Sequence, residues 1–128
     1  MSEKFSLEII SPVKLLVKTD VIEVTIPAFE GLMTILNNHI PLITFLRPGF
    51  INFLTSKGYE KYYVEEGTVE FYNNNLLILS STAQKEISKE KANEILIKAK
   101  ESLKNENISD KEKYILSHKV SILEGLSK

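Results

Sequence analysis

The first two thirds of the chain alternate apolar and polar residues with the period of half-buried β-strands. Residues 5–9 place phenylalanine, leucine and isoleucine on one side of an extended segment, and residues 22–26 repeat the pattern. Pro48 followed by Gly49 predicts a type II turn, because proline presets one central φ and glycine tolerates a positive φ at the next position. Short strands separated by glycine and asparagine turns predict an all-β sandwich or flattened barrel.

Beyond residue 86 the apolar period changes to that of an amphipathic helix. The apolar stripe consists of Ala92, Ile95, Leu96, Ala99 and Leu103. Ser88 stands at the N-cap position, where its hydroxyl would accept a backbone N–H. Ser109 and Glu112 have the spacing of a capping box, which predicts a second helix reaching about Leu126. The tail is therefore predicted to be an antiparallel hairpin of two helices.

The chain is thus predicted to divide into a β-sandwich domain at residues 1–86 and a helical hairpin at residues 87–128. Two short helices bury little apolar surface alone, so we expect the hairpin to lean on the sandwich, to lean on another subunit, or to exchange between them. Lys119 falls inside the apolar arc of the second helix. We interpret it as snorkelling into water, with an ion pair to an acid on a partner as the functional alternative.

Composition restricts the class of function. The 128 residues are 43% hydrophobic and 26% charged, as in soluble globular proteins, and include no cysteine for disulfides, thiolate metal sites or nucleophiles. The chain opens without a signal layout and has no apolar run long enough to span a membrane. We therefore expect a cytosolic or peripheral protein without membrane insertion. Arg47 is the only arginine, and because lysine cannot supply planar bidentate contacts, we expect no nucleic-acid partner.

Residues 30–49, EGLMTILNNHIPLITFLRPG, form the most informative segment of the chain. We interpret the segment as a buried strand, a shaped loop and another strand that closes on the Pro-Gly pair. The predicted loop carries Leu32, Met33, Ile35, Asn37, Asn38 and His39. A largely apolar loop of this kind suits docking onto a partner better than it suits catalysis.

A second hypothesis is an enzyme or a small-ligand-binding protein. Glu30 with His39, or Glu65 with Glu66, could form an acid–base pair. Adjacent Glu65 and Glu66 would point to opposite faces of a strand, however, and the chain has no nucleophile motif. The only other histidine, His118, lies far along the chain, so we predict no catalytic residues and no metal site. A free-standing adaptor that binds other helices through the hairpin is a third possibility.

An ordered series of motifs resembles a known family. EGLMTILNNHIPLITFLRPG is similar to E-G-x-x-G-I-x-P-G-H-x-P-L-[LI]-T-x-[LI]-[KR]-P-G, and EGTVE at residues 66–70 resembles G-G-x-x-E-V. These patterns are typical of the epsilon subunits of bacterial F-type ATP synthases, and the resemblance covers nearly the whole chain. Thr34, Asn37 and Asn38 stand where glycine, proline and glycine are usual. Because asparagine tolerates left-handed backbone, we expect Asn38 to hold the turn.

The resemblance implies a β-sandwich and a two-helix hairpin in a non-catalytic rotor subunit that needs no cofactor. Such a subunit couples the c ring and the gamma subunit to the catalytic head of the proton-translocating synthase, from a peripheral position on the cytoplasmic face of the bacterial inner membrane. Carried over by position, the contacts with the c ring and gamma would be Leu32, Met33, Thr34, Asn38 and His39. His39 could equally be a structural histidine, hydrogen-bonded within the loop.

The resemblance also suggests two roles for the hairpin. In the family it inhibits ATP hydrolysis when it extends along gamma and inserts into the head of beta and alpha subunits, where its basic helix meets acidic segments of the beta subunits. Lys111, Lys113 and Lys119 could make such contacts here. Some members bind ATP through an I/L-D-x-x-R-A motif, which is ISKEKA in this chain, with Ser88 for aspartate and Lys91 for arginine. Since lysine lacks the planar fork that holds phosphate, we expect weak or absent ATP binding.

Overall fold

The computed structural model describes residues 3–127, which form nine β-strands followed by two α-helices. The strands are β1 (Phe5–Ile10), β2 (Leu15–Val21), β3 (Glu23–Ala28), β4 (Gly31–Leu36), β5 (Leu42–Leu46), β6 (Gly49–Thr55), β7 (Gly58–Val64), β8 (Gly67–Tyr72) and β9 (Asn75–Leu79). The helices are α1 (Lys89–Leu103) and α2 (Asp110–Ser127). This architecture confirms the predicted fold class, a β-sandwich followed by a helical hairpin.

The strands form one curled sheet that closes over an apolar core. The strand order is β2-β1-β9-β8-β5-β3-β6-β7, and β4 pairs with β3 outside this series. β1 and β9 run parallel, whereas the other neighbouring strands run antiparallel. Phe5, Leu7 and Ile9 are buried in the core while the residues between them are not, as the alternation along β1 predicts.

Two turns show how backbone geometry selects residue types. Asn73 and Asn74 have φ values of 53° and 58° and join β8 to β9 in the manner of a type I′ hairpin turn. The predicted type II turn at Pro48 and Gly49 is wrong, because φ is not positive at Gly49. Glycine is required there for space instead, since a Cβ atom would lie 2.7 Å from the Cβ atom of Pro27 in β3.

Both helices begin at the residues that their capping patterns predict. The backbone N–H of Lys91 donates to Ser88 Oγ at 3.1 Å, and the backbone N–H of Glu112 donates to Ser109 Oγ at 3.1 Å. The apolar stripe of α1 is inward-facing, with Ala92, Leu96 and Ala99 buried. Within residues 3–127, neither helix combines the length and apolarity that crossing a bilayer requires.

The helical hairpin packs against the β-sheet beside β6 and β7. Tyr63 of β7 shares a buried cluster with residues from both helices. The buried members are Tyr63, Ala92, Leu96 and Leu123, and Phe50 of β6 packs against them. Because burial of each large apolar side chain contributes about 1.5–3 kcal/mol, this cluster is enough to hold two short helices on the sheet. The hairpin therefore leans on the sandwich, one of the three arrangements expected for it.

Candidate partner-binding surfaces

The residues predicted to contact partners lie along β4 and in the turn that follows it. Leu32 and Thr34 are on the exposed side of the strand, where Leu32 is 73% exposed. Met33 points the other way and packs, partly buried, against the core. Asn38 and His39 lie between β4 and β5. All five residues are thus on one continuous segment, but Met33 and His39 are only partly exposed whereas the other three are exposed.

The predicted loop at residues 32–35 is wrong, because these residues form part of β4. Ile35, which the sequence analysis placed in the loop, is fully buried in the core. A strand of six residues extends about 20 Å, so the candidate contacts spread along a strand instead of clustering at one tip. The surface is correspondingly long and narrow.

The turn after β4 is held by the neighbouring β8–β9 turn. Asn38 has a φ of 66°, which confirms the expectation that it holds left-handed backbone. Its N–H donates to Asn74 Oδ1 at 2.7 Å, and Asn74 Nδ2 donates back to Asn38 Oδ1 at 3.0 Å. Asn37 Nδ2 donates to the carbonyl of Lys4 at 3.2 Å. These bonds fix the shape of the turn without the usual glycine and proline.

His39 is engaged within its own protein. Its Nδ1 lies 2.7 Å from the carbonyl oxygen of Ile40, which requires a proton on Nδ1 for a hydrogen bond. The ring packs edge-on against Phe71, with 5.9 Å between the ring centroids. These contacts support the structural interpretation of His39, while its partly exposed position leaves the rest of the ring available to a neighbour.

A second exposed apolar surface was missed by the sequence analysis. It lies on the outside of the sheet across β5, β8 and β9, and we call it the outer apolar face. Its members are Ile43 (77% exposed), Phe45 (60%), Tyr72 (62%) and Leu79 (44%). The strand register places Phe45 opposite Thr68 and Thr68 opposite Leu79, so these side chains follow one another across the sheet.

The sequence does contain a signal for this face. β5 is LITFL, which is apolar on both sides of the strand, and only the side with Leu42, Thr44 and Leu46 faces the protein's own interior. Strands with two apolar sides are typical of sheets that are covered on both faces. In an antiparallel sheet with one side open to water, that pattern indicates a surface that a partner covers.

One polar joint attaches α2 to the end of β3. The hydroxyl of Tyr114 donates to the carbonyl of Phe29, and the two rings pack with centroids 4.7 Å apart. Arg47 Nη1 donates to the Tyr114 hydroxyl at 3.0 Å and lies 3.4 Å from His118 Nε2. We call Phe29, Arg47, Tyr114 and His118 the α2 joint. The only arginine of the chain therefore contacts the hairpin, a role that its Pro-Gly context did not suggest.

The α2 joint prefers a neutral imidazole. Burial lowers the pKa of His118 below its ordinary value of 6.5, and the positive charge of Arg47 lowers it further. An Arg47 N–H can donate to Nε2 only while that nitrogen carries no proton. Protonation of His118 would place two cations side by side, which weakens the attachment of α2.

Lys119 makes an ion pair inside the protein. Its Nζ lies 3.1 Å from Glu65 Oε1, and both side chains are about one fifth exposed, at 21% and 22%. The other carboxylate oxygen of Glu65 accepts a hydrogen bond of 3.0 Å from the Tyr63 hydroxyl. Burial and the Glu65 carboxylate raise the pKa of Tyr63, which keeps this hydroxyl protonated as a donor. Lys119 thus does not snorkel into water as predicted, because Glu65 meets it across the interface.

The remaining predicted hairpin residues differ in their surroundings. Lys111 and Lys113 are exposed on the first turns of α2. Ser88 is occupied as the N-cap of α1, and Lys91 lines a cavity of about 510 Å³ between the helices and the sheet. The cavity is also lined by Glu65, Lys98 and Lys119. It is polar and basic, but its lysines offer point charges in place of the planar fork of arginine.

Neither carboxylate pairing considered for catalysis is assembled. Glu30 lies in the turn before β4, where it accepts a hydrogen bond of 3.1 Å from the Thr44 hydroxyl, whereas His39 follows the other end of that strand. The sequence analysis placed Glu65 and Glu66 in a strand, but they lie in the connection between β7 and β8. Glu66 Oε1 accepts from the N–H and hydroxyl of Ser81 at 3.0 and 2.7 Å. These carboxylates organise turns and an interface.

The described residues form a small β-sandwich that leaves large apolar side chains exposed on the sheet, which is typical of proteins that associate with partners. A sequence model of the family described as "ATP synthase, Delta/Epsilon chain, beta-sandwich domain" matches residues 4–86. The chain belongs to this family of ATP synthase subunits. It is therefore a non-catalytic subunit of a membrane complex. Family membership favours this class of protein over a free-standing adaptor or a small-ligand-binding protein.

Individual relatives extend the match to the hairpin. The ATP synthase epsilon chain of Pelagibacter ubique (strain HTCC1062) is 48% identical over 130 residues, covering 99% of this chain and all of the relative. The fold is similar to a chain of the Euglena gracilis mitochondrial ATP synthase described as OSCP/F1/c-ring, with a TM-score of 0.73, 22% identity, and coverage of 96% and 79%. It is also similar to a chain of the Tetrahymena thermophila mitochondrial ATP synthase described as central stalk/c-ring, with a TM-score of 0.64, 14% identity, and coverage of 99% and 98%.

Acid is expected to loosen the α2 joint. Above about pH 6.5, His118 is neutral in both the docked and the released hairpin, so pH has no effect through this group. As the pH falls below that value, His118 binds a proton more readily in the released hairpin than in the docked one, because its pKa is lowered in the docked state. The docked state therefore loses stability until the pH has fallen below this lowered pKa. Spin labels on cysteines introduced at the exposed positions 61 and 117 should report a broadening distance between about pH 7.5 and about pH 5.5.

The role of Arg47 in this behaviour can be isolated. His39→Gln removes the other histidine and assigns the remaining ring signal in an NMR titration to His118. In that background, Arg47→Met should raise the pKa of His118 because the neighbouring positive charge is gone. A titration curve that does not move would contradict the joint as described.

Proposed function

We propose that the chain is the central-stalk subunit that joins the c ring and the gamma subunit to the catalytic head of a bacterial F-type ATP synthase. The observation that carries this proposal is the apolar surface left exposed on a rigid β-sheet, because large exposed apolar patches mark sites of association. Structural neighbours described as c-ring and central-stalk assemblies support the choice of partners. The subunit would be peripheral, on the cytoplasmic face of the inner membrane.

The two exposed surfaces suit different contacts. The β4 segment with its following turn is long and narrow and carries Leu32, Met33, Thr34, Asn38 and His39, which we propose as contacts with the c ring and gamma. The outer apolar face is broad and is formed by regular strands, so we assign it to the body of gamma. Packing two surfaces of a rigid sheet against two neighbours would let the subunit transmit torque between them.

We propose that residues 1–86 and residues 87–128 act as two units. The sandwich would supply the permanent stalk contacts, whereas the hairpin would be movable. Its attachment rests on the Tyr63 cluster, the α2 joint and the Lys119–Glu65 ion pair. Contacts of this number are compatible with two hairpin positions that differ by a few kcal/mol.

The hairpin would inhibit ATP hydrolysis when it extends toward the head. Lys111 and Lys113 are exposed, so they could meet acidic segments of the beta subunits in the head of beta and alpha subunits. Lys119 is different, because it must leave Glu65 before it can contact a partner. The Lys119–Glu65 pair would therefore favour the docked, non-inhibitory position.

We infer that nucleotide plays little part in this exchange. The Ser88 hydroxyl already accepts the Lys91 N–H, and the Lys119 ammonium is paired with Glu65. The cations that line the cavity between the helices and the sheet, among the residues that the structure describes, are lysines. Millimolar Mg-ATP should leave hydrogen exchange in residues 87–126 unchanged, and clear protection of these amides would contradict the inference.

Binding to gamma should depend on the outer apolar face. The double variant Ile43→Ser, Phe45→Ser should bind gamma at least about 100-fold more weakly, because each exposed side chain that becomes buried contributes roughly 1.5–3 kcal/mol. Titration calorimetry with purified gamma measures the change, and circular dichroism verifies the fold.

A matched control is available on the hairpin. Ile97 of α1 is 55% exposed but lies outside both surfaces, so Ile97→Ser should leave the affinity unchanged. Leu32→Ser tests the β4 segment in the assembled enzyme, where coupling to the c ring should fall while gamma binding is largely retained. If the double variant binds as tightly as the unmodified chain, the assignment of this face is wrong.

Hydrolysis by the assembled enzyme should respond in opposite directions to two sets of hairpin substitutions. Replacing Lys111, Lys113 and Lys119 with glutamine should raise ATPase activity because the contacts with the head are lost. Glu65→Gln should lower the activity, since Lys119 is released from the docked position. A triple glutamine variant of Lys89 and Lys100, which are exposed on α1, and Lys104, its exposed C-cap residue, is the control for total charge. Identical activity in all variants would argue against inhibition by the hairpin.

A further inference from the structure

Within residues 3–127, three strands of the curled sheet, β2, β4 and β7, are unpaired along the whole of one side, and they are protected unequally. β5 is joined to β3 only through Leu46 and Ala28, so its side away from β8 is closed at that end. β2 carries Lys18 and Asp20 and has an irregular register with β1. β7 carries Glu60 and Lys61, and its Tyr63 exchanges two backbone hydrogen bonds of 2.8 Å with Gln84. Charges, bulges and covering segments are the devices by which proteins block strand edges.

β4 has none of these devices among the residues that the structure describes. Its sequence, GLMTIL, has no charged residue and no proline, and its register with β3 is regular over all six positions. Its only strand partner in the described sheet is β3. A flat, uncharged edge of this length is the form that accepts a further strand.

The backbone groups that face the free edge can be identified. Pro27, which lies opposite Leu32, has no N–H, and its carbonyl accepts from the Arg47 N–H at 2.9 Å on the other side of β3. Residues of an antiparallel pair alternate between exchanging two hydrogen bonds and exchanging none. Leu32 therefore directs its N–H and C=O away from β3, and Thr34, two residues later, does the same.

We propose that the free edge of β4 takes an extended strand from a neighbouring subunit of the stalk and adds it to the sheet. The inference rests on the proposed function, because it names how the β4 segment binds. The outward N–H and C=O groups of Leu32 and Thr34 repeat about every 7 Å, a spacing that another extended backbone matches and a helix does not.

The occupant is further defined by the side chains beside the edge. Leu32 and Leu36, at 73% and 51% exposed, flank the edge on the outer side of β4. An incoming strand that is uncharged and apolar at alternate positions would extend this row, since directly opposed side chains on neighbouring strands contact each other. The edge is continuous with the residues proposed to bind partners, Leu32 and Thr34 among them.

Hydrogen exchange at single amides tests the proposal on the unmodified chain. In the isolated protein, the amides of Met33 and Ile35 should be protected by β3, whereas those of Leu32 and Thr34 should exchange rapidly. In the assembled ATP synthase, protection of Leu32 and Thr34 should increase by at least about 100-fold. Burial of the Leu32 side chain without protection of these two amides would overturn the edge pairing and leave the stalk function intact.

A proline variant tests the same bond by a different route. Thr34→Pro removes an outward N–H and leaves the ladder with β3 complete, which is the situation in which edge strands tolerate proline. Thr34→Ala also removes the 3.0 Å hydroxyl contact with Thr25 but keeps the N–H. The affinity of Thr34→Pro for the stalk formed by gamma and the c ring should be at least about 10-fold lower than that of Thr34→Ala. Equal affinities of the two folded variants would overturn the proposal.

The remaining outcomes separate the possible failures. Protection of Leu32 and Thr34 that grows with the concentration of the isolated chain would assign the edge to a second copy and overturn pairing with a stalk subunit. Failure of the unmodified chain to join gamma and the c ring would refute the proposed function itself. If Thr34→Pro does not fold, the exchange measurement on the unmodified chain still decides.

Discussion

The backbone hydrogen bonds at the end of β3, from Pro27 to Phe29, connect β3 to β5 and to the helical hairpin. The carbonyl of Pro27 accepts from the Arg47 N–H, and the Phe29 N–H donates to the carbonyl of Phe45 at 2.7 Å. The carbonyl of Phe29 accepts from the hydroxyl of Tyr114 in α2. These hydrogen bonds link β5 and the docked hairpin to the same short segment that pairs with β4. A movement of α2 is therefore felt first by the strand that supports both partner-binding surfaces.

The interior and the outside of the sheet have opposite energetic roles. The interior is filled by interlocking side chains, and the described residues include no buried side-chain polar atom without a hydrogen-bond partner. The outside leaves large apolar side chains in water, which forgoes roughly 25 cal/mol for each Å² that a partner could cover. Folding and assembly thus draw on separate sets of residues, as suits a rigid subunit that gains its remaining stabilisation from its neighbours.

Local patterns in the sequence predicted the fold well. The alternation in β1 and β3, the asparagine turn before β9 and the serine caps of both helices depend on residues a few positions apart, and the structure confirms them. The prediction of a loop at residues 32–35 is wrong, since GLMTIL is apolar on both sides and shows no clear period of two to indicate the strand β4. Family resemblance identified the class of subunit, while the roles of the predicted contact residues remain proposals.

Interactions between distant positions could not be derived from the sequence. Arg47 and His118 are 71 residues apart, and Glu65 meets Lys119 only because α2 folds back across the sheet. The role of Gly49 depends on the close approach of Pro27 from another strand. Apolar periodicity places a lysine on the inner face of a helix, but it does not identify the carboxylate that pairs with this lysine in the folded protein. Such pairs need the tertiary arrangement itself.

The unequal protection of the sheet edges limits how copies of the molecule can associate with one another through strand pairing. A sheet with two open sides can pass its pairing from copy to copy and grow into a filament, as in cross-β fibres. Here β2 and β7 are blocked by charge, irregular register or a bridging segment, and in the described sheet β4 is the strand that is open along its whole length. Once β4 has paired with a strand, β2 and β7 offer no further edge for pairing. A sheet with a single fully open edge therefore accepts one strand and does not polymerise.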